Sequence, residues 1–250
     1  SLDCLVGHCA SVGDRKTVAG IPRLGVCNYG FLRFSFVVFI VCIVLLQIGR
    51  SEVMKIVFLI VSNLWAGAPT DFVDLKKFDF SIKQEIHYAT EKNVLKKKLY
   101  ASPECYLRKP VAEALSRVQN SLKMQGLGLK VYDCYRPLHV QKLLWEKMPD
   151  EKYVVSPEKG ANNNRGAGVD LTLVGRNGEE IEMPSDFDTF TSKSSLTFKK
   201  LSKPALRNRT LLQKAMAKEG FIPNPDVWWH FDFKDASSYP ILDLTFEDLK

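Results

Sequence analysis

The chain has no CxxC pair, no dense run of Lys and Arg, no internal repeat and no low-complexity stretch. Without paired CxxC spacings, the six cysteines (Cys4, Cys9, Cys27, Cys42, Cys105, Cys134) argue against a thiolate zinc site. The nearest approach to a basic run is Lys96-Lys97-Lys98, which reads as a solvated face, so no nucleic-acid partner is expected. The formal net charge is +7, and part of that excess lies in residues 1–68, which leaves the remainder only mildly basic. Histidine is scarce: His8, His87, His139 and His230 are the four available imidazoles. What is present is ordinary globular composition, 46% hydrophobic and 25% charged over 250 residues, compatible with one large domain plus extras.

Two apolar stretches precede that domain. Residues 34–48 (FSFVVFIVCIVLLQI) are nearly uncharged, and extension back to Phe31 brings the run close to the ~20 residues that span a bilayer. Residues 54–68 read as a secretory signal, with Lys55 as the charged start, IVFLIVSNLW as the apolar segment and Ala66-Gly67-Ala68 as a small-residue cleavage site. The expectation is that Met54 is the biological start, residues 1–53 are an upstream extension, and the domain of residues 69–250 works outside the cytoplasm, in the periplasm or cell envelope. The alternative is an N-terminal membrane anchor at 31–48. In an exported domain Cys105 and Cys134 form one disulfide; otherwise they are two buried thiols.

Within 69–250, Pro110 opens a helical pattern (Val111, Leu115, Val118, Leu122) stopped at Gly126. Residues 127–132 read as a strand, 138–147 as a helix, 156–168 as Gly- and Asn-rich turn, and 169–174 as a short strand with a hairpin signal at 176–179. Pro204 to Glu219 is a third helix ending before Gly220, and 228–233 (WWHFDF) is β-prone. This mixture predicts an α+β domain with an antiparallel sheet flanked by helices.

Three segments concentrate the polar and aromatic residues that carry chemistry: YDCYRPL (132–138), NRGAGVDLTL (164–173) and WWH (228–230). In this order they resemble the motifs of D-alanyl-D-alanine dipeptidases of the VanX type, and the resemblance spans about residues 71–245, with EIHYATEKN (85–93), RKPVAEALSRVQ (108–119) and EMPSDFD (182–188) also similar. It implies the VanX/hedgehog-like D,D-peptidase fold and a zinc ion held by two His and one Asp. It also implies a Glu that takes the proton from the attacking water and an Arg that stabilises the charge on the carbonyl oxygen. On that pattern Asp170 and His230 match two metal ligands and Arg136 the arginine. Trp229 becomes a substrate-side wall, and D-Ala-D-Ala or related peptidoglycan peptides the partner.

The first ligand His, however, falls at Asn163 and the Glu at Val227; the motif's Ser falls at Ala161 and its Ala at Gly168. An amide is a poor zinc ligand beside imidazole, and valine moves no proton. Loss of a general base costs ~10²–10⁴ in rate. The expectation is therefore a degenerate member of the family, with zinc weak or absent and hydrolysis lost or strongly impaired. Two alternatives stand: an active zinc dipeptidase using His139 as ligand or Asp226 as base, and a non-catalytic binding module in which Arg136 meets a peptide carboxylate.

Overall fold

The computed structural model describes residues 71–250; the apolar segment at 31–48 and the signal-like segment at 54–68 lie outside the described residues. Among the described residues no helix is long and apolar enough to cross a membrane. The chain enters through β1 (Phe72–Asp74), a single turn α1 (Leu75–Phe78) and β2 (Lys83–Gln84), where the sequence has no clean period. There follow β3 (Tyr106–Arg108), α2 (Lys109–Lys123), β4 (Leu127–Asp133), α3 (Leu138–Lys147) and β5 (Gly168–Gly175). Helix α4 (Lys203–Lys218), β6 (Phe221–Pro223) and β7 (His230–Phe233) complete the domain.

The helices form where periodicity and caps place them. Pro110 sits in the first turn of α2, and its buried face (Val111, Leu115, Val118, Leu122) recurs at three- and four-residue steps. Gly126, at φ 73°, turns the chain into β4. On α4 the Ser202 side chain accepts a hydrogen bond from the Ala205 N–H at 3.1 Å, Pro204 is in the first turn, and Gly220 follows at φ 88°.

β1 and β3 make a small antiparallel pair, and the main sheet has the order β2-β4-β5-β7-β6. It is antiparallel except for the β2–β4 edge, which is parallel. Leu129, Val131, Leu171 and Leu173 point to one face and join Leu115, Val118, Leu212 and Met216 of α2 and α4 in the core. The opposite face carries polar side chains, because successive residues of a strand alternate faces.

Two corrections to the sequence reading concern turns. Residues 176–179 form the expected turn, with the Gly175 N–H donating to the Glu179 carbonyl at 2.9 Å, but only a single bridge (Val174↔Glu180) follows it. The β-prone run at 228–233 is a strand only from His230: Trp228 and Trp229 lie in the turn before it, and Asp226 and Val227 are in no strand either. Trp228 is instead buried as a core anchor, its indole N–H donating to Ser185 at 3.0 Å.

Cys105, just before β3, and Cys134, just after β4, are joined in a buried disulfide with Cα atoms 5.3 Å apart. It ties the small pair to the main sheet across 29 residues of chain. Reduction should lower stability by about 3 kcal/mol, measured as a fall in the urea midpoint on adding dithiothreitol; an unchanged midpoint would show that the bridge does not form.

Candidate active site

The polar face of the sheet is organised by register. Asp170 on β5 is paired with Asp133 on β4 and with His230 on β7, so three side chains stand in one row across three strands. The β4–β5 register shifts between Val131 and Asp133, and this bulge turns Asp133 onto the polar face. Asp232, two residues beyond His230, shares that face.

Arg136 reaches into this row from the turn after β4. Its Nε and Nη2 donate to Asp133 at 3.0 and 2.7 Å, Nη2 also approaches Asp170 at 3.4 Å, and Nη1 donates to Gln141 at 2.8 Å. The Tyr88 ring covers the guanidinium at 5.0 Å. On the other side of Asp170 stands His230, with Nδ1 at 2.7 Å from Asp170 and Nε2 at 3.0 Å from Asp232. Burial works against an imidazolium, but the Asp232 and Asp170 carboxylates outweigh it and lift His230 to about 10. Burial likewise pushes the Asp133 carboxyl up, against the pull of Arg136.

The turn Asn162–Arg165 closes the site from above. Asn163 and Asn164 are 1% and 0% exposed, so this part of the Asn-rich turn is packed into the domain. Asn164 accepts from the Ala161 N–H and donates to the Arg136 carbonyl, both at 2.8 Å. Asn163 donates from its amide to the Cys134 carbonyl at 3.1 Å, and its own carbonyl accepts the Arg136 N–H at 3.0 Å. Gly168 lets the turn come this close: a Cβ there would stand 2.7 Å from the Asn163 nitrogen. The alanine that the dipeptidase pattern has at this position would not fit beneath the turn as it lies here.

These groups surround a cavity of about 240 Å³ whose wall includes Arg136, Asn163, Asp170, Val227, Trp229 and His230. Six sequence-predicted positions thus meet at one site. Val227 is 4% exposed and presents only methyl groups. Trp229 is a wall, edge-on to Phe187, Phe190 and Trp228. His139 is not at the site: it is exposed and bonds Asp243 on the surface at 2.7 Å, because its position on α3 faces away. Asp226 does not line the cavity either. A larger groove of about 730 Å³ holds none of the predicted residues and meets this cavity only at Val94 and Asp188.

Sequence reasoning missed Asp133, Gln141, Asp188 and Asp232. Asp133 and Asp188 lie inside segments quoted for the resemblance, and strand alternation from His230 points to Asp232. Asp188 accepts from the Val94 N–H at 3.0 Å and from the Tyr88 hydroxyl at 3.4 Å, and is held at φ 59°, in the left-handed region. Burial pushes its carboxyl up to about 6, assisted by Asp170 and opposed by the Val94 hydrogen bond.

The donors do not fit a resident zinc ion. Among the described residues no three His, Cys, Asp or Glu side chains converge to hold a metal. Asp170 and His230 supply two donors engaged with each other, and the third position is an amide turned toward Cys134.

A model of the D-ala-D-ala dipeptidase family matches residues 68–249. The chain is 36% identical over 173 residues to the D-alanyl-D-alanine dipeptidase of Escherichia coli K12, covering 69% of this chain and 90% of that protein. It is 30% identical over 190 residues to the enzyme of the same name from Enterococcus faecalis, covering 68% and 94%. Among solved structures it is similar to the LD-carboxypeptidase LdcB (19% identity, 73% of this chain and 78% of that one, TM-score 0.38). It is also similar to the zinc-bound D,D-pentapeptidase VanY (13% identity, 60% and 86%, TM-score 0.36). The chain belongs to the D-Ala-D-Ala dipeptidase family.

Two expectations follow. Gly168→Ala should displace the Asn162–Arg165 turn and cost about 1–3 kcal/mol, read as a fall in the urea midpoint; an unaffected midpoint would show that the turn yields freely. Asp188 titrates near 6 in the folded chain against 3.8 in its ordinary state. The native state therefore holds the extra proton between those values, and stability falls as pH rises through them. Asp188→Asn should leave stability at pH ~4 unchanged and raise it at neutral pH, as thermal melts across that range will report.

Proposed function

We propose that this protein is a degenerate D-Ala-D-Ala dipeptidase of the cell envelope, with zinc held weakly or not at all and peptide hydrolysis lost or strongly impaired. The observation that carries the reading is Val227, a buried apolar side chain on the cavity wall where the family pattern requires a proton acceptor. Asn163 supports it independently, since its amide is committed to the Cys134 carbonyl. The exposed surface position of His139 and the absence of Asp226 from the wall leave both replacement candidates without geometric support.

What the remaining residues do is recognise and enclose. The wall is concave and partly aromatic, with Trp229 and Phe190 available for apolar contact and Tyr153 and Asn224 at its margins. Arg136 is anchored by Asp133 and Gln141, so its charge is fixed in place, but much of it is already met by protein carboxylates. Such a site would hold a small peptidoglycan peptide without cleaving it. The segment at 54–68 and the Cys105–Cys134 bridge support export to an oxidising compartment.

The test is zinc content and D-Ala-D-Ala turnover of the purified chain beside the double variant Asn163→His, Val227→Glu. The unmodified chain should hold substoichiometric zinc and turn over at least ~10²-fold more slowly than the double variant. Stoichiometric zinc with brisk turnover in the unmodified chain would end the proposal.

A further inference from the structure

The positive charge of this domain is gathered in one stretch. Residues 189–218 hold eight Lys and Arg and no Asp or Glu, whereas the rest of 69–250 carries more carboxylates than cations. Arg209 is buried, its guanidinium donating to the Ser195 and Phe198 carbonyls, and the other seven are exposed. On α4, Lys203, Arg207, Lys214 and Lys218 recur at steps of four, seven and four, which the helical period sets along one side. Leu212 and Met216, on the opposite side, are in the core. Glu182 and Glu219, the carboxylates at the ends of the helix, are engaged by the Ser202 hydroxyl at 2.5 Å and by Arg117 at 2.7 Å. Among the described residues none of the four cations is in an ion pair.

Apolar side chains stand beside this stripe. Helices α2 and α4 flank a groove of about 640 Å³ onto which Leu206, Leu211 and Ala215 open together with the four cations. Met124, which caps α2, is 84% exposed. Phe80, 90% exposed, is held beside α2 by its neighbours Asp79 and Ser81, which accept hydrogen bonds from Ser116 and Gln119. A soluble acidic partner would answer the cations alone. The headgroup boundary of an anionic bilayer answers both, because it takes up apolar tips and offers a continuous negative surface.

We infer that the layer formed by α2 and α4 docks this domain on an anionic phospholipid surface. The layer covers one face of the main sheet, and the row of Asp133, Asp170 and His230 stands on the other. No residue lines both the groove and the cavity. A docked domain therefore presents its cavity away from the lipid, whatever that cavity holds. Each Lys or Arg close to an anionic surface strengthens binding about fivefold.

Sedimentation of the full chain with vesicles tests this, using phosphatidylcholine alone and an equal mixture with phosphatidylglycerol. The ratio of the two affinities isolates the charged surface, because the apolar segments earlier in the chain meet both vesicles alike. At low salt the ratio should be at least ~10², and it should fall as sodium chloride is added. Arg207→Gln, Lys214→Gln and Lys218→Gln together should cut it at least ~10-fold. Lys96→Gln, Lys97→Gln and Lys98→Gln, the same loss of charge on another exposed segment, should leave it within about twofold. All six side chains are exposed, so both variants should melt with the unmodified chain. A ratio near one, or equal losses in the two variants, overturns the inference. So does binding to soluble polyglutamate as tight as to the anionic vesicles, which would assign the surface to an acidic protein instead.

Discussion

Asp170 is the carboxylate on which the polar half of this molecule depends. It lies at the middle of a row across three strands, with the guanidinium of Arg136 on one oxygen and the imidazole of His230 on the other. Arg136 is buried and His230 partly so, and each draws a countercharge from another element; breaking a buried pair by removing one member typically costs about 3–5 kcal/mol. The bulge in β4, the pairing of β5 with β7 and the position of the turn after β4 all converge on supplying that countercharge. The sheet's other face, where Leu129, Val131, Leu171 and Leu173 meet α2 and α4, is ordinary apolar packing by comparison.

This network holds the polar face together through protein groups alone. Every charged group in the row has a protein partner, so no ion is needed to satisfy it: Arg136 has Asp133 and Gln141, and His230 has Asp170 and Asp232. Asn163 has likewise been absorbed into structure. Its amide and carbonyl tie the closing turn to Cys134 and Arg136, and Gly168 beneath it gives the turn room to settle. Asn163, where the family resemblance places a ligand His, is a clasp between a turn and a strand end.

The parts of this that were legible beforehand are those with a local signature. Helices α2 and α4 announced themselves through apolar spacing, Pro at the start and Gly past the end. Strands β4 and β5 were bounded by breakers, and Asp170, His230 and Arg136 were found through short motifs whose order along the chain is itself information. What was not legible has a different cause. His139 is near Arg136 in sequence, yet α3 turns it to the surface; the three asparagines look like a hydrated loop, yet two are fully buried. Asp188 comes from a stretch without strand or helix, far along the chain from everything that it faces. Proximity in such cases is created by packing, which leaves no local trace.

The sequence by itself determined the family, the helix and strand framework, and the two substitutions that argue against hydrolysis, because each is a matter of residue identity at a motif position or of local periodicity. Only the tertiary structure decided that Cys105 and Cys134 are bridged, that Asp133, Asp170 and His230 stand in one row, and that Arg136 is already engaged by carboxylates. Those facts depend on a one-residue register shift in β4 and on a turn lying against Gly168. A strand's register sets which face every side chain takes, and it is fixed by its neighbours in the sheet rather than by the strand alone.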